Sequence, residues 1–281
     1  MSEIIRSGCS KVALPDPPEV VNANPIHDEK AGGYGYAGPI VAGIHTYGWM
    51  VPAILDAAGD SWLSHGWADI KFPRPVFAGD ELHTEVIPDP SDSSVGIITQ
   101  RAGSDNRITI EGTIGLGDGP WRPDFVLPTS RTPVTPATKP TFTGPDQIPT
   151  DTDYPAMSVP IGLREHNEWM TSRIVDDDFR WQSDDPSVAP LVHPSWAPGQ
   201  MTPLIRHSYR FPAGIHASGK IQHLSAHRAG GSVTVAGRWR GVELRKGKHW
   251  STTDAVFIDD RGLELSHIRQ VVVILDPLPR S

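Results

Sequence analysis

The sequence predicts an α+β protein made of two similar units, each a long helix wrapped by a curved antiparallel sheet. One observation is a helical segment at 39–58 with apolar or small residues on nearly every face, which a surrounding sheet must cover. A second is the run of strand-like segments that follows this helix and returns in the second half of the chain. A third is the length: 281 residues, 38% of them hydrophobic, suffice for two cores.

The central helix of the first unit is the strongest element in the pattern. Apolar residues recur there with helical spacing, and Pro39 suits a first helical turn. Pro52 lies inside the pattern and predicts a kink or a break near Met50, because proline removes a backbone donor and clashes with the preceding turn. The spaced apolar residues are Ile40, Val41, Ile44, Tyr47, Val51, Ile54 and Leu55.

Strands are predicted wherever apolar and polar residues alternate between clusters of turn-forming residues. The segment 71–83 is loosely repeated at 209–221, which indicates an internal duplication. The predicted strands are 68–72, 81–87, 95–101 and 107–116 in the first half, and 222–227, 232–239, 253–258 and 267–275 in the second.

A proline-rich segment divides the chain. Nine prolines lie between Gly119 and Pro155 with little apolar periodicity, so this stretch is predicted to run extended as a linker. The predicted organisation is a first domain at 1–118, a linker at 119–155 and a second, more divergent domain at 156–281.

The composition indicates where the protein is expected to act and which classes of partner it is not expected to bind. The start of the chain has no signal-peptide pattern and no later stretch is apolar enough to span a membrane, so a cytoplasmic protein is expected. Cys9 is the single cysteine, which excludes an internal disulfide and a multi-thiolate zinc site. A net charge of −8 argues against a nucleic-acid partner. A homodimer is left open.

Three motifs carry the functional information. Residues 21–29 read VNANPIHDE, residues 38–44 read GPIVAGI, and residues 72–80 read FPRPVFAGD. Their content and order resemble the MaoC-like family of (R)-specific enoyl-CoA hydratases and dehydratases, in which Asp-x-Asn-Pro-Ile-His precedes a Pro-Ile-Val-x-Gly helix start. The match covers residues 22–82, and the second half is only a weaker echo, as in double hotdog relatives. The resemblance implies a hotdog fold, a helix wrapped by an antiparallel sheet.

The resemblance also implies a reaction and a site. The expected activity is hydration of a 2-enoyl-CoA or dehydration of a 3-hydroxyacyl-CoA, without a cofactor or a metal. His27 is the expected acid/base residue, and backbone amides near Gly43 are expected to hold the thioester oxygen. The residues expected to bind substrate from this region are Asn24, Ile40, Val41 and His45. Asn24 is also expected to shape its loop, and His45 is alternatively a packing residue.

One departure from the family pattern affects the chemistry. Asn22 stands where the family has its catalytic aspartate, and an amide can orient water but cannot accept a proton. Asp16, Glu19, Asp28 and Glu29 could supply a carboxylate, but each is expected to be a solvated loop charge. A non-catalytic thioester-binding protein, or the inactive partner of an active subunit, is therefore the alternative. A hotdog thioesterase is a weaker one, because Asp56 is the only carboxylate on the central helix.

Positive charge is concentrated in one part of the second half. Residues 206–249 contain nine Lys and Arg against Glu243 alone. Two interpretations stay open: these side chains are solvated positions on alternating strands, or some of them bind the phosphates of coenzyme A. Arg238, Arg240 and Lys246 are the candidates for phosphate binding.

Overall fold

One antiparallel sheet of 11 strands runs through both halves of the chain. The computed structural model describes residues 3–139, 150–183, 185, 187–210 and 213–275. The strand order is β1-β3-β4-β5-β2-β8-β11-β10-β9-β6, and β7 also pairs with β9. The first-half strands are β1 (Ser7–Val12), β2 (Gly66–Lys71), β3 (Glu81–Asp89), β4 (Asp92–Ala102) and β5 (Arg107–Leu116). The second-half strands are β6 (Thr152–Asp153), β7 (Met157–Pro160), β8 (Gly214–His223), β9 (Ser232–Arg245), β10 (Lys248–Asp259) and β11 (Glu264–Ile274).

Helices from both halves pack against the sheet. The α-helices are α1 (Pro18–Val21), α2 (Gly43–Gly48), α3 (Val51–Ala58), α4 (Trp62–His65), α5 (Leu163–Trp169), α6 (Trp196–Gly199) and α7 (Met201–Ser208). Short 3₁₀ helices span Pro25–His27, Glu29–Tyr34, Arg122–Asp124 and Phe179–Trp181, and a π-helical turn spans Met170–Ile174. Among the described residues, no helix is both long and apolar enough to cross a membrane.

The two halves join through the pairing of β2 with β8. Trp67 to Lys71 face Gln222 to Ser218, so the first sheet continues into the second without an edge. The predicted arrangement of two units, each a helix wrapped by a sheet, is confirmed. Because β2 and β8 pair with each other, neither half has an unpaired strand edge at the junction. The domain boundaries at 118/119 and 155/156 stay predictions, and residues 140–149 of the proposed linker and 276–281 of the second domain lie outside the described residues.

The central helix of the first half differs from the prediction at its start. It begins at Gly43 instead of Pro39, because the N–H groups of Ile40 and Val41 donate to Ile26 and Val76 and hold this stretch extended. The predicted break near Met50 is confirmed, since α2 ends at Gly48 and α3 begins at Val51. A similar break separates α6 from α7 in the second half.

The strand predictions held in the first half and failed at one place in the second. The predicted strand 222–227 is wrong, because β8 ends at His223 and Leu224 and Ser225 donate to the carbonyl of Leu265 in a loop. The strand begins eight residues earlier than predicted, at Gly214. The echo of 71–83 at 209–221 is also not a structural repeat, since the first segment follows β2 and the second leads into β8; its residues 211 and 212 lie outside the described range.

Candidate functional site

A cavity of about 530 Å³ lies between the two halves, at the start of α2. Such a volume suits a small organic ligand. The first half contributes the loop that carries the family motif, the start of α2 and the turn after β2. The second half contributes α5, α6, α7 and the three strands β7, β8 and β11. Its walls include Asn24, His27, Ile40, Val41, Gly43, Phe72, Arg74, Trp169, Arg173, Arg206, His216 and Gln270.

His27 lies at the end of the short 3₁₀ helix that Asn24 begins. The Asn24 side chain accepts the Ile26 N–H at 3.5 Å and donates to the Gly214 carbonyl at 2.8 Å, so it shapes the loop, as expected, and ties it to the second half. His27 Nδ1 lies 2.6 Å from the Ile40 carbonyl oxygen and 3.1 Å from Asp16 Oδ2. Because a carbonyl only accepts, Nδ1 carries a proton, and Nε2 is the ring nitrogen that can act as a base.

Asp16 is the carboxylate of this site, and the expectation of a solvated loop charge at this position is wrong. Its side chain is only 2% exposed. Its Oδ2 accepts the Ala42 N–H at 2.9 Å, and its Oδ1 accepts from His45 Nδ1 at 2.6 Å. Burial would raise the pKa of Asp16, but the hydrogen bonds from His27 and His45 outweigh it and lower this pKa to about 2. The carboxylate is therefore ionised and held in place.

His45 lies behind the cavity wall, where its ring contacts the side chains of Asp16 and Arg173. It is 1% exposed, and its ring lies edge-on to Trp169 with centroids 6.0 Å apart. Burial lowers the pKa of His45 despite the hydrogen bond to Asp16, which favours the neutral ring. Its Nε2 faces Arg173 Nη1 at 3.4 Å. Between the two predicted roles, this geometry favours a buried network residue over direct contact with substrate.

Gly43 supplies a free backbone donor at the first residue of α2. No hydrogen bond between described residues uses its N–H, which belongs to the unpaired donors of a helix start. A Cβ at this position would lie 3.2 Å from the Phe72 ring and 3.5 Å from His216 Nδ1. Glycine therefore lets α2 approach both rings, and its N–H can face an oxygen in the cavity.

Other predicted residues lie elsewhere. Asn22 ends α1 with an exposed side chain and does not line the cavity, so the structure does not bring it to His27. Asp28 caps the next 3₁₀ helix, and Asp56 is exposed on α3 outside the cavity. Ile40 and Val41 do line it, beside Gly43.

The three basic residues predicted for phosphate binding are not part of the cavity wall. Arg238 pairs with Asp153 at 2.8 Å and Arg240 with Asp151 at 3.0 Å, while Lys246 lies in the exposed turn between β9 and β10. The cations that line the cavity are Arg74, Arg173 and Arg206.

A much smaller cavity, about 50 Å³, lies at the start of α6. The loop after β8 bounds it. It therefore lies relative to α6 and β8 as the main cavity lies relative to α2 and β2 in the first half. His193, His223 and His227 line it. Within the described ranges, no group of three His, Cys, Asp or Glu residues could hold a metal ion.

Sequence reasoning did not find Arg173 or His216, and it misjudged Asp16. Asp16 stands in a proline-rich stretch, where a charged residue is usually solvated, and its burial depends on contacts with residues far along the chain. Arg173 belongs to a π-helical turn that leaves no periodic pattern in the sequence.

No family model and no curated protein sequence matches the chain. Solved structures match along nearly its whole length. A protein from Chloroflexus aurantiacus described as a MaoC domain protein dehydratase has a TM-score of 0.61 and 12% sequence identity, covering 98% of this chain and 95% of its own. The Mycobacterium tuberculosis protein Rv0216, described as having a double hotdog fold, has a TM-score of 0.56 at 12% identity, covering 98% and 97%.

A third similar structure, from Thermobifida fusca, is described as a thioesterase II; its TM-score is 0.53 at 14% identity, and the match covers 97% of this chain and 95% of that one. At such low identities, the similarity shows the fold and not the reaction. The chain is therefore a double hotdog protein, and its structural neighbours include MaoC-like dehydratases.

Proposed function

We propose that this protein adds water to a 2-enoyl thioester, or removes it from the corresponding 3-hydroxyacyl thioester, with coenzyme A as the carrier. The observation that supports this most is the state of His27. Its Nδ1 is fixed by Ile40 and Asp16, which leaves Nε2 as a base on the wall of a cavity of about 530 Å³. The family motif around His27 and a neighbour described as a MaoC domain protein dehydratase favour this chemistry over others.

The proposed hydration uses one base twice. His27 Nε2 takes a proton from water while the water oxygen bonds to the β carbon, and the electrons of the double bond move onto the thioester oxygen. The Gly43 N–H stabilises this enolate oxygen. His27 then returns its proton to the α carbon, so the net change is the addition of one water molecule.

In this scheme Asp16 takes over part of the role that the family's aspartate would have. Its carboxylate does not accept the water proton, because His45 and Ala42 already donate to it. It stabilises the charged imidazolium that His27 becomes during the reaction, at a distance of 3.1 Å.

The test is an absorbance assay that follows loss of the conjugated double bond of crotonyl-CoA and of a longer enoyl-CoA. We expect turnover by the unaltered protein and a loss of about 100-fold or more in kcat for His27→Ala. His83→Ala is the matched control, because His83 is exposed on β3 outside the cavity. Turnover that persists unchanged in His27→Ala contradicts the proposal.

A thioesterase is the second candidate, because the same base could direct water to the thioester carbonyl, and one structural neighbour is described as a thioesterase II. Measuring free thiol release in the same reactions separates the two. Thiol release without loss of the double bond would replace the hydratase proposal with a hydrolase. Neither signal, with retained binding of acyl-CoA, would indicate a protein that binds thioesters without turning them over.

A further inference from the structure

We propose that Arg173, contributed by the second half of the chain, is a positioning residue for the catalytic histidine of the first half. It acts through His45 and Asp16, and it reserves the Asp16 carboxylate for His27. This inference rests on the proposed function, since it assigns a role within the same site.

The backbone places Arg173 at this position through an unusual turn. After α5 the chain makes the π-helical turn Met170–Ile174, which ends at Val175 with a φ of 51°. The Trp49 indole N–H, at the junction of α2 and α3, lies 3.1 Å from each of the Arg173 and Ile174 carbonyl oxygens. π-Helical turns are rare and often occur at functional sites. Here the turn is hydrogen-bonded directly to the central helical region of the other half.

The guanidinium of Arg173 is held on three sides. Its Nη2 donates to Glu19 Oε1 at 2.6 Å, and its centre lies 4.7 Å from the Trp169 ring. Its Nη1 faces His45 Nε2 at 3.4 Å, and only 15% of the side chain is exposed. A planar guanidinium fixed in this way presents one donor to His45 in a defined direction.

The contacts on both sides of His45 agree on which nitrogen carries the proton. Arginine only donates hydrogen bonds, so His45 Nε2 must be the unprotonated nitrogen and Nδ1 the donor. His45 Nδ1 then donates to Asp16 Oδ1 at 2.6 Å. The other oxygen, Oδ2, is left for Ala42 N–H and His27. A series of contacts thus connects the second half to the catalytic base.

The contact between Arg173 and His45 affects the charge balance of the site as well as its geometry. Arg173 and Glu19 pair with each other, so Asp16 is the carboxylate available to stabilise a proton on His27. If His45 were protonated, its own charge would compensate Asp16 and weaken this stabilisation. Burial lowers the pKa of His45, and the positive charge of Arg173 lowers it further. Arg173 therefore adds to the effect of burial in favouring the neutral form of His45.

Kinetics on Arg173→Met and Arg173→Lys provide the first part of the test. We expect Arg173→Met to lower kcat for crotonyl-CoA about 10- to 100-fold with little change in KM, because positioning of the base is lost while the cavity stays open. Arg173→Lys, which restores the charge without the planar fork, should recover part of the loss. Arg180→Met is the control: Arg180 also bridges the halves, through Asp60 at 2.8 Å, but outside the cavity.

Nitrogen-15 NMR of the imidazole side chains provides the second part and does not depend on turnover. We expect His45 to be a neutral Nδ1–H tautomer in the unaltered protein, and to show a larger protonated fraction in Arg173→Met at the same pH. If crotonyl-CoA is not turned over at all, the proposed function fails, while the His45 tautomer still tests Arg173. The inference is overturned if His45 is unchanged in a folded Arg173→Met, or if that variant raises KM and leaves kcat intact.

Discussion

Nδ1 of His27 lies 3.1 Å from Oδ2 of Asp16, which joins the histidine of the family motif to a carboxylate outside that motif. The structure leaves Asn22, which occupies the motif's usual aspartate position, exposed and away from the cavity. The site therefore contains a His–Asp pair. Its histidine lies in the sequence motif, but its aspartate lies outside the motif.

Asp16→Asn should lower kcat about 100-fold while leaving KM within a few-fold of its original value. The neutral amide cannot stabilise the His27 imidazolium, and its NH₂ group would face ring N–H donors that the carboxylate now accepts. Steady-state kinetics with crotonyl-CoA measure this. A kcat equal to that of the unaltered protein would exclude Asp16 from the mechanism.

Asn22→Asp should change kcat by less than about twofold, because this side chain is exposed and the cavity wall does not include it. The motif alone would instead predict a gain, since it restores the family's aspartate. A large rise in activity in the same assay would show that the loop at 22–24 moves into the cavity when substrate binds.

Gly43→Ala should lower kcat about tenfold, since its methyl group would meet the Phe72 ring at 3.2 Å and shift the backbone N–H of a residue that lines the cavity. Gly38→Ala is the control, because a Cβ there has no neighbour within 4 Å. Comparing kcat with the melting temperature of each variant separates misplacement of the donor from loss of stability. Equal kcat in both variants would remove Gly43 from the site.

Arg206→Met should raise KM for an acyl-CoA about tenfold, with an effect that fades at high salt. Arg206 lines the cavity, its Nε has no partner among the described residues, and burial lowers its pKa, so an anionic group of the ligand could pair with it. Arg238→Met should leave KM unchanged, because that side chain already pairs with Asp153. A higher KM in Arg238→Met, with no change in Arg206→Met, would instead support the sequence-based candidates for phosphate binding, Arg238, Arg240 and Lys246.

Buried neutral histidines should make the fold less stable in mild acid. Burial lowers the pKa of His223 to about 4, so below its unfolded value of 6.5 the unfolded chain binds a proton that the folded one does not. Stability is therefore lost as the pH falls from about 6.5 toward 4, by about 2 kcal/mol for this group at pH 5. Urea unfolding at several pH values measures this, and the free energy of unfolding should fall less steeply with decreasing pH in His223→Gln than in the unaltered protein. An equal pH dependence in the two proteins would contradict this assignment.

The sequence predicted the first half of the fold well, because its strands alternate clearly and its turns are rich in Gly, Pro, Asp and Ser. It failed at β8, where Gly214, His216 and Gly219 interrupt the pattern. That strand is paired on both sides, with β2 and β11, so its backbone is satisfied regardless of a weak local preference.

Residues that line the cavity were predicted only where local motifs form its wall. His27, Asn24, Ile40 and Gly43 lie in two short segments that the chain folds against each other, and all four line the cavity. Asp16 and Arg173 meet His45 from distant positions, and local patterns contain no information about such contacts. Residues from the second half were the least predictable, since their role exists only once β2 and β8 have paired.

The pairing of β2 with β8 also has a consequence for how the site responds to dilution. Its walls come from two halves of one polypeptide, so bringing them together is an intramolecular event set by an effective concentration. Activity per molecule should then stay constant as the protein is diluted. Each half is likewise free to specialise, because every mutation in one half always meets the same neighbour.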